Sequence, residues 1–443
     1  MIEPNEALTS VGAERMHPLH HQLLRRVVTH FFPGATLTIS GPAAARLLPA
    51  TAGAHHVQFS CAGSRCECRR AVAFSHSERR LLHALASMIS RRVFEFLHPS
   101  DDGSAVQAVD GLPEDRFVAE FLLSGVFPGD VAAAAGPLLD VIEVLRLVSV
   151  TSYENRKVTT GVLLRIGGRV GRAGQIVQRE PQHVRFDPSL ATLKSLPRWC
   201  DGLRTVGLVD PAGYLSAVAD IREEAAGAAP LVYPSADRYE PHARATMDGR
   251  RIGVTLTPNG EIKIFASGVQ AFAFVDGRWR LTDLAEKYTA LERLVDRGLA
   301  RRLFAAALNL AEHRHGALFV ILPPGAEANI VSVTDQLAFD GTSRASAVRS
   351  KQDLHYLLAG ANVLTLPTAI VESVARIDGA VVVRPTGELI AVGALVKGAG
   401  GITGIEGART TAAIHASHLG TAIKVSEDGV VSLFKDGVPV WHL

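Results

Sequence analysis

Two acidic residues and one arginine near the C-terminus stand in settings suited to phosphate chemistry. Asp378 precedes Gly379-Ala380 at the opening of an expected strand. Arg409 follows Gly407-Ala408 at the start of an expected helix, and Ser426-Glu427-Asp428-Gly429 closes a later strand. Carboxylates are hard oxygen donors for Mg²⁺ or Mn²⁺, which such sites bind through one or two acids together with substrate phosphates. A guanidinium at a helix start meets phosphate oxygens while the helix N-terminus favours negative charge. An acid beside glycine, a base at a helix start and a second acid beyond can hold a metal and a triphosphate together. Singly, each piece is commonplace. Asp-Gly marks turns, and Arg-Thr-Thr can be no more than the first turn of a surface helix.

A second group of residues invites different chemistry. Cys61, Cys66 and Cys68 lie near His55, His56 and His76. Three thiolates and an imidazole satisfy Zn²⁺ tetrahedrally, although the spacing lacks the Cys-x2-Cys knuckle. Arg65, Arg69 and Arg70 would lower thiol pKa values, so a redox-reactive cluster and plain unligated thiols stand beside zinc as readings. Gly167-Gly168-Arg-Val-Gly171-Arg-Ala-Gly174 could cradle a phosphate or form a hairpin tip. No Walker A loop, His-Glu-x-x-His or Gly-x-Ser-x-Gly occurs.

The elements that must position these residues follow from hydrophobic periodicity. Leu81, Leu85, Ile89 and Val93 predict a helix over 77–97, and Leu19, Leu23, Val27 and Val28 an earlier one. Strands are expected at 36–39, 146–151 and 157–165. Further strands follow at 252–257, 261–266 and 270–275, with turns at Pro258-Asn259-Gly260 and Asp276-Gly277. From 291 onward helix and strand alternate. A helix at 299–313 feeds the wholly apolar 316–322, and a helix at 367–376 leads to strands at 378–383 and 389–395. A helix at 408–418 then precedes strands at 421–425 and 430–434. Leu256–Gly268 and Val425–Gly437 echo each other as two hairpins.

The expected fold class is α/β (α+β), with a C-terminal mixed β-sheet flanked by helices. Three regions are expected: 1–225, helical with some β structure; 226–290, a β-rich connecting segment; and 291–443, the mixed-sheet domain. At 443 residues, 47% hydrophobic and 20% charged, the chain has the composition of a globular protein. A net charge of +2 gives no overall basic field, so neither nucleic acid nor an acidic membrane is expected as partner. No run reaches the ~20 apolar residues of a membrane helix, and the polar N-terminus lacks a signal-peptide core. Four cysteines make no disulfide scaffold. The cytoplasm is the expected compartment.

Four motifs in order resemble bacterial diadenylate cyclase domains. Ala311-Glu-His-Arg-His-Gly316-Ala-Leu-Phe-Val-Ile321 is similar to their entry helix and first core strand. Val374-Ala-Arg-Ile-Asp378-Gly-Ala-Val-Val-Val383 resembles their Asp-Gly-Ala motif, especially the version in DNA-integrity-scanning proteins. Gly407-Ala-Arg-Thr-Thr-Ala-Ala413 occupies the place of Gly-Thr-Arg-His-Arg-Ala-Ala, and Val425-Ser-Glu-Asp-Gly429 that of the later Val-Ser-Glu strand end. The resemblance covers about residues 295–443.

The resemblance implies that two ATP molecules condense into cyclic di-AMP with release of two pyrophosphates. Two domains of a homo-oligomer would face each other, each with one ATP and Mg²⁺ or Mn²⁺. Asp378 would ligate the metal or help deprotonate the attacking hydroxyl, Glu427 would be its second carboxylate, and Arg409 would meet phosphate oxygens. Gly379, Ala380, Gly407, Thr410, Thr411 and Ser426 would line the nucleotide. This chain has Arg409-Thr410-Thr411 where the family has Arg-His-Arg, so one imidazole and one guanidinium are missing. Either His415, His418 or Lys397 supplies the charge, or the domain is catalytically degenerate and binds a nucleotide as a regulator. The region ahead of the domain resembles the sensor modules fused to such cyclases, through Ser152-Tyr-Glu154-Asn-Arg156, with its signal ligand unspecified.

Overall fold

The computed structural model describes residues 16–42, 53–97, 112–125, 131–153, 156–166, 184–193, 195–332, 335–337, 357–397 and 407–443. The glycine-rich stretch 167–174 and Glu154 lie outside the described residues. The chain is a mixed α/β protein whose mixed sheets are flanked by helices. It divides into two compact units, one formed by Met1–Glu224 with Ala245–Asp283 and the other by Ala225–Arg244 with Leu284–Leu443. Among the described residues no helix is long and apolar enough to cross a membrane.

In the first unit, helix α1 (Pro18–Phe31) and helix α2 (His76–Leu97) frame a small antiparallel sheet. Its strands are β1 (Thr36–Pro42), β2 (His56–Cys61) and β3 (Ser64–Arg69), in the order β1-β3-β2. Leu81, Leu82, Leu85, Ile89 and Val93 form the buried stripe of α2, at the spacing that the sequence pattern requires. Helices α3 (Pro113–Ser124) and α4 (Gly136–Ser149) follow. The strand expected at 146–151 is instead the end of α4. Leu138, Val141, Ile142, Leu145 and Val148 continue one helical stripe through it, and that stripe outweighs the β-branched residues at its close.

Two short strands, β4 (Ser152–Tyr153) and β5 (Arg156–Lys157), pair with each other. The larger sheet has eight strands. They are β6 (Thr160–Arg165), β7 (Val184–Arg185), β8 (Thr205–Val209), β9 (Tyr214–Asp220), β10 (Arg251–Leu256), β11 (Ile262–Ala266), β12 (Val269–Val275) and β13 (Arg278–Leu281). Their order is β13-β12-β11-β10-β6-β8-β9-β7, with β6 and β8 parallel. The segment expected at 226–290 is therefore not a separate connector. β10 pairs along its length with β6, so β10 to β13 extend the first unit's sheet, while 225–244 and 284–290 belong to the second unit.

The second unit is built on a six-stranded sheet, in the order β16-β15-β14-β17-β18-β19. The strands are β14 (Ala317–Ile321), β15 (Ala380–Val383), β16 (Leu389–Ala394), β17 (Thr421–Val425), β18 (Val431–Lys435) and β19 (Val438–His442). β14 and β15 are parallel and the remaining neighbours antiparallel. Every residue of β14 and β15 is buried, the pattern of central strands covered on both faces.

Helices α6 (Arg297–Glu312), α7 (Thr368–Ala375) and α8 (Ala408–Ser417) pack on this sheet, and α5 (Leu284–Glu292) packs against α6. The side chain of Asp296 caps α6, accepting from the N–H groups of Gly298 at 2.8 Å and Leu299 at 3.3 Å, so the helix starts two residues before its first apolar anchor. Arg302 of α6 donates to the carbonyls of Val363 (3.0 Å) and Leu366 and to Thr368 Oγ1 (2.6 Å). Asn309 Nδ2 donates to Glu372 Oε1 at 2.6 Å. These bonds fix α7, and with it the turn carrying Asp378 into β15.

The echo between the two hairpins extends to the backbone. Gly260 and Gly429 have φ +83° and +86°, Ser267 and Asp436 +51° and +52°, and Gly268 and Gly437 +81° and +77°. Shared turn chemistry accounts for this, since each position needs a left-handed residue.

Candidate functional site

Strand register brings the two acids to one end of the sheet. Ala317 pairs with Val425, and Phe319 with Val381. Gly316, Asp378 and Ser426 are thus level on three neighbouring strands, with Gly316 in the middle. Two strand spacings separate the outer positions by ~10 Å. Arg409, in the first turn of α8, spans the gap. Its Nη1 lies 2.8 Å from Glu427 Oε1 and its Nη2 3.6 Å from Asp378 Oδ1.

The middle position is glycine for a steric reason. A Cβ on Gly316 would stand 2.3 Å from Arg409 Nη1 and 2.6 Å from Cζ. The guanidinium lies in the room left by the missing side chain. Gly379 serves the sheet rather than an open wall. Its φ is +109°, and a Cβ there would come within 2.4 Å of the Gly393 carbonyl carbon. Ala380 is fully buried in the sheet core, packed with Leu318, Val382, Ala413 and Ala416.

Glu427 sits on a tight turn. Ser426 N–H donates to the Val430 carbonyl at 2.9 Å and Gly429 N–H to the Ser426 carbonyl at 3.0 Å. Asp428 Oδ1 accepts from Val430 N–H at 3.1 Å, so the second acid of the turn shapes the loop while Glu427 is presented outward. The side chains of Asp378 and Glu427 are 100% and 69% exposed, and that of Arg409 36%. In water such exposed ion pairs are weak, and a ligand can take them over.

Gly407 is the N-cap residue of α8, and a Cβ there would meet nothing within 4 Å. Thr410 Oγ1 accepts from Lys424 Nζ at 2.8 Å. Thr411 is 7% exposed and belongs to the inner side of the helix rather than to its open end. The sequence expectation that His415, His418 or Lys397 supplies extra charge is not what the geometry offers. His418 lies nine residues along α8 from Arg409, ~13 Å at the helical rise, against Gly437. His415 is ~9 Å along the same axis. Lys397 N–H is bonded to the Ile330 carbonyl, outside this cluster.

Lys424 is the cation that sequence reasoning missed, and its signal was a lone charge inside the apolar strand Thr421–Val425. Gly316 was missed as well. Arg314, in a left-handed turn at φ +56°, lies over Gly429, where a Cβ would come 2.6 Å from its Nη1. His315 beside it is held below the ordinary imidazole value by burial, with Arg376 and His313 adding to the effect.

The cysteines have another fate. On β3 the buried positions are Ser64, Cys66 and Cys68, and the exposed ones Arg65 and Arg69. The strand period of two sends thiols and guanidiniums to opposite faces. Cys61, Cys66 and Cys68 sit in the apolar core of the first unit. Burial raises all three, Cys66 to about 12 and Cys68 to about 11, against the lowering that the nearby arginines suggested. His55 and His76 are exposed, and among the described residues no group of three or more His, Cys, Asp or Glu could hold a metal. The donor set does not fit zinc.

No family model and no curated protein matches the chain. Solved structures to which it is similar include a hypothetical membrane spanning protein from Bacillus cereus, at 21% identity and TM-score 0.24, covering 35% of this chain and 66% of that one. They also include DacA from Staphylococcus aureus, as a double cysteine mutant, at 22% identity and TM-score 0.18, covering 31% of this chain and 81% of that one. This chain thus spans just under two thirds of the first neighbour's length. Likeness at this level leaves the functional assignment to the chain's own residues.

Proposed function

We propose that the second unit binds ATP with Mg²⁺ or Mn²⁺ and that the chain is a diadenylate cyclase, condensing two ATP into cyclic di-AMP and two pyrophosphates. The observation that carries this reading is the convergence of Asp378, Arg409 and Glu427 on one sheet end, in the motif order of that family. Asp378 and Glu427 are exposed oxygen donors. With no third protein ligand grouped beside them among the described residues, they fit a metal carried in by a triphosphate rather than a resident ion. Bound there, the metal neutralises phosphate charge and acidifies the 3′-hydroxyl.

The chain's own groups do the rest by positioning and charge. Arg409 exchanges its two carboxylates for phosphate oxygens. Lys424, bonded to Thr410, puts a second cation at the residue that follows Arg409 and makes good part of the missing Arg-His-Arg charge. Each 3′-hydroxyl gives up its proton, to Asp378 or to water, as its oxygen bonds to the α-phosphorus of the opposite ATP, the bond from that phosphorus to the bridging oxygen breaks and pyrophosphate leaves. Two steps in opposite directions close the ring, so two copies of this unit face each other in a homo-oligomer. The first unit acts as the sensor region that alters how they meet.

The second reading is a degenerate domain that binds a nucleotide without cyclising it. Buried Thr411, where the family has arginine, favours it. Purified full-length chain incubated with ATP and Mn²⁺, its products resolved by chromatography, separates the two. Cyclic di-AMP supports the cyclase. ATP bound without product supports the regulator, and neither binding nor product removes both.

A further inference from the structure

The first unit contains an open cleft of about 430 Å³ that the proposed chemistry does not use. Four guanidiniums line it: Arg25 and Arg26 from α1, Arg146 from α4 and Arg278 from β13. Two of them are committed. Arg26 holds the buried Glu114 with both nitrogens, Nε to Oε1 at 2.5 Å and Nη2 to Oε2 at 3.0 Å. Arg146 pairs with Asp115 and stacks on the Phe274 ring at 3.9 Å. Arg25 and Arg278 have no carboxylate partner among the described residues, and Arg25 makes only a long 3.4 Å contact to His21. Four guanidiniums against Glu114 and Asp115 leave a surplus of two positive charges.

His30 completes the wall as a neutral donor. Its Nε2 accepts from the backbone N–H of Trp279 at 2.8 Å. That bond uses the Nε2 lone pair, so the proton resides on Nδ1. The arrangement is held from behind, because Trp279 is fully buried and its Nε1–H donates to Asp115 Oδ1 at 2.6 Å. The same carboxylate therefore anchors Arg146 and the strand that carries Arg278.

We infer that this cleft binds a small phosphorylated molecule, its dianionic phosphate taken between Arg25 and Arg278. A surplus of two charges matches a phosphate monoester or a pyrophosphate, whereas a monocarboxylate would leave one guanidinium unmatched. The volume exceeds what a phosphate fills and lies in the range of small-ligand sites. Leu112 and the Arg26 stem give the organic part a surface. Charge confined to a concavity, with a net of only +2 on the whole chain, suits a small ligand rather than a nucleic acid strand. The inference does not rest on the cyclase reading.

The test uses the full chain in metal-free buffer, with inorganic phosphate and pyrophosphate as probes and chloride matched for ionic strength. Calorimetry and thermal shift are expected to show saturable binding of at least one probe. Arg25→Gln and Arg278→Gln should each weaken it about tenfold or more. Arg204→Gln, an exposed arginine elsewhere in the unit, should leave it unchanged. Both cleft arginines are exposed, so the variants fold, which melting without ligand verifies. Absence of saturable binding, or phosphate binding that persists in the Arg25→Gln/Arg278→Gln double variant, would overturn the inference.

Discussion

Gly316→Ala isolates the placement of Arg409 from the fold around it. Gly316 needs no left-handed backbone, so alanine is conformationally acceptable there. The three atoms nearest an added Cβ are all of the Arg409 guanidinium. The new Cβ would stand 2.3 Å from Nη1, and ordinary contact begins at 3.4 Å, so Arg409 must withdraw by about 1.1 Å. The guanidinium is the far end of a flexible side chain and can yield without moving the helix. Stability should hold or rise by a few tenths of a kcal/mol, since alanine restricts the unfolded chain. Catalysis should not hold. A misplacement of ~1 Å at a group that positions phosphate costs on the order of 10²-fold in rate. Product formation from ATP and Mn²⁺, read beside the melting temperature, checks both halves. Full activity at unchanged stability would refute the role given to Arg409, and collapse of stability would refute the steric account of Gly316.

Other expectations are as direct. Asp378→Asn should abolish cyclic di-AMP formation while leaving the melting temperature unchanged, because the side chain is wholly exposed; a drop in melting temperature would point to a structural role. Lys424→Met should weaken ATP binding about tenfold, with Lys424→Arg retaining most of it; equal affinity in all three proteins would exclude Lys424 as a compensating cation. The thiols give a pH signature. Burial holds Cys66 at about 12 and Cys68 at about 11, against an ordinary 9.0. The folded chain keeps protons that the unfolded chain releases, so these thiols leave stability level below pH ~9 and lower it as pH climbs towards 11–12. Melting curves of wild type should fall more steeply across that window than those of a Cys66→Ala/Cys68→Ala variant, and parallel curves would count against buried thiols.

Local structure was legible in the sequence to the extent that one face of an element decided it. The Leu81–Val93 stripe gave α2, the wholly apolar Ala317–Ile321 gave a central strand, and Pro258-Asn259-Gly260 marked a hairpin. Pairing was less legible. Nothing local says that Arg251–Leu256 joins Thr160–Arg165, nearly a hundred residues earlier, so strands that extend one sheet look like a connector in the sequence. The cysteines misled because proximity in sequence ignored the alternation that sends Arg65 and Arg69 away from Cys66 and Cys68. At the candidate site, residue types singled out Asp378, Arg409 and Glu427, whereas Gly316 and Lys424 are placed by strand register and by a strand-to-helix contact that only three dimensions supply.

The most direct test is a crystal structure of the chain with Mn²⁺ and 3′-deoxy-ATP, which lacks the attacking hydroxyl and cannot cyclise. The account predicts a triphosphate lying over Gly316, Arg409 turned from Asp378 and Glu427 onto its oxygens, and both carboxylates on the manganese. A nucleotide bound elsewhere, with Arg409 still paired to its two acids, would contradict it.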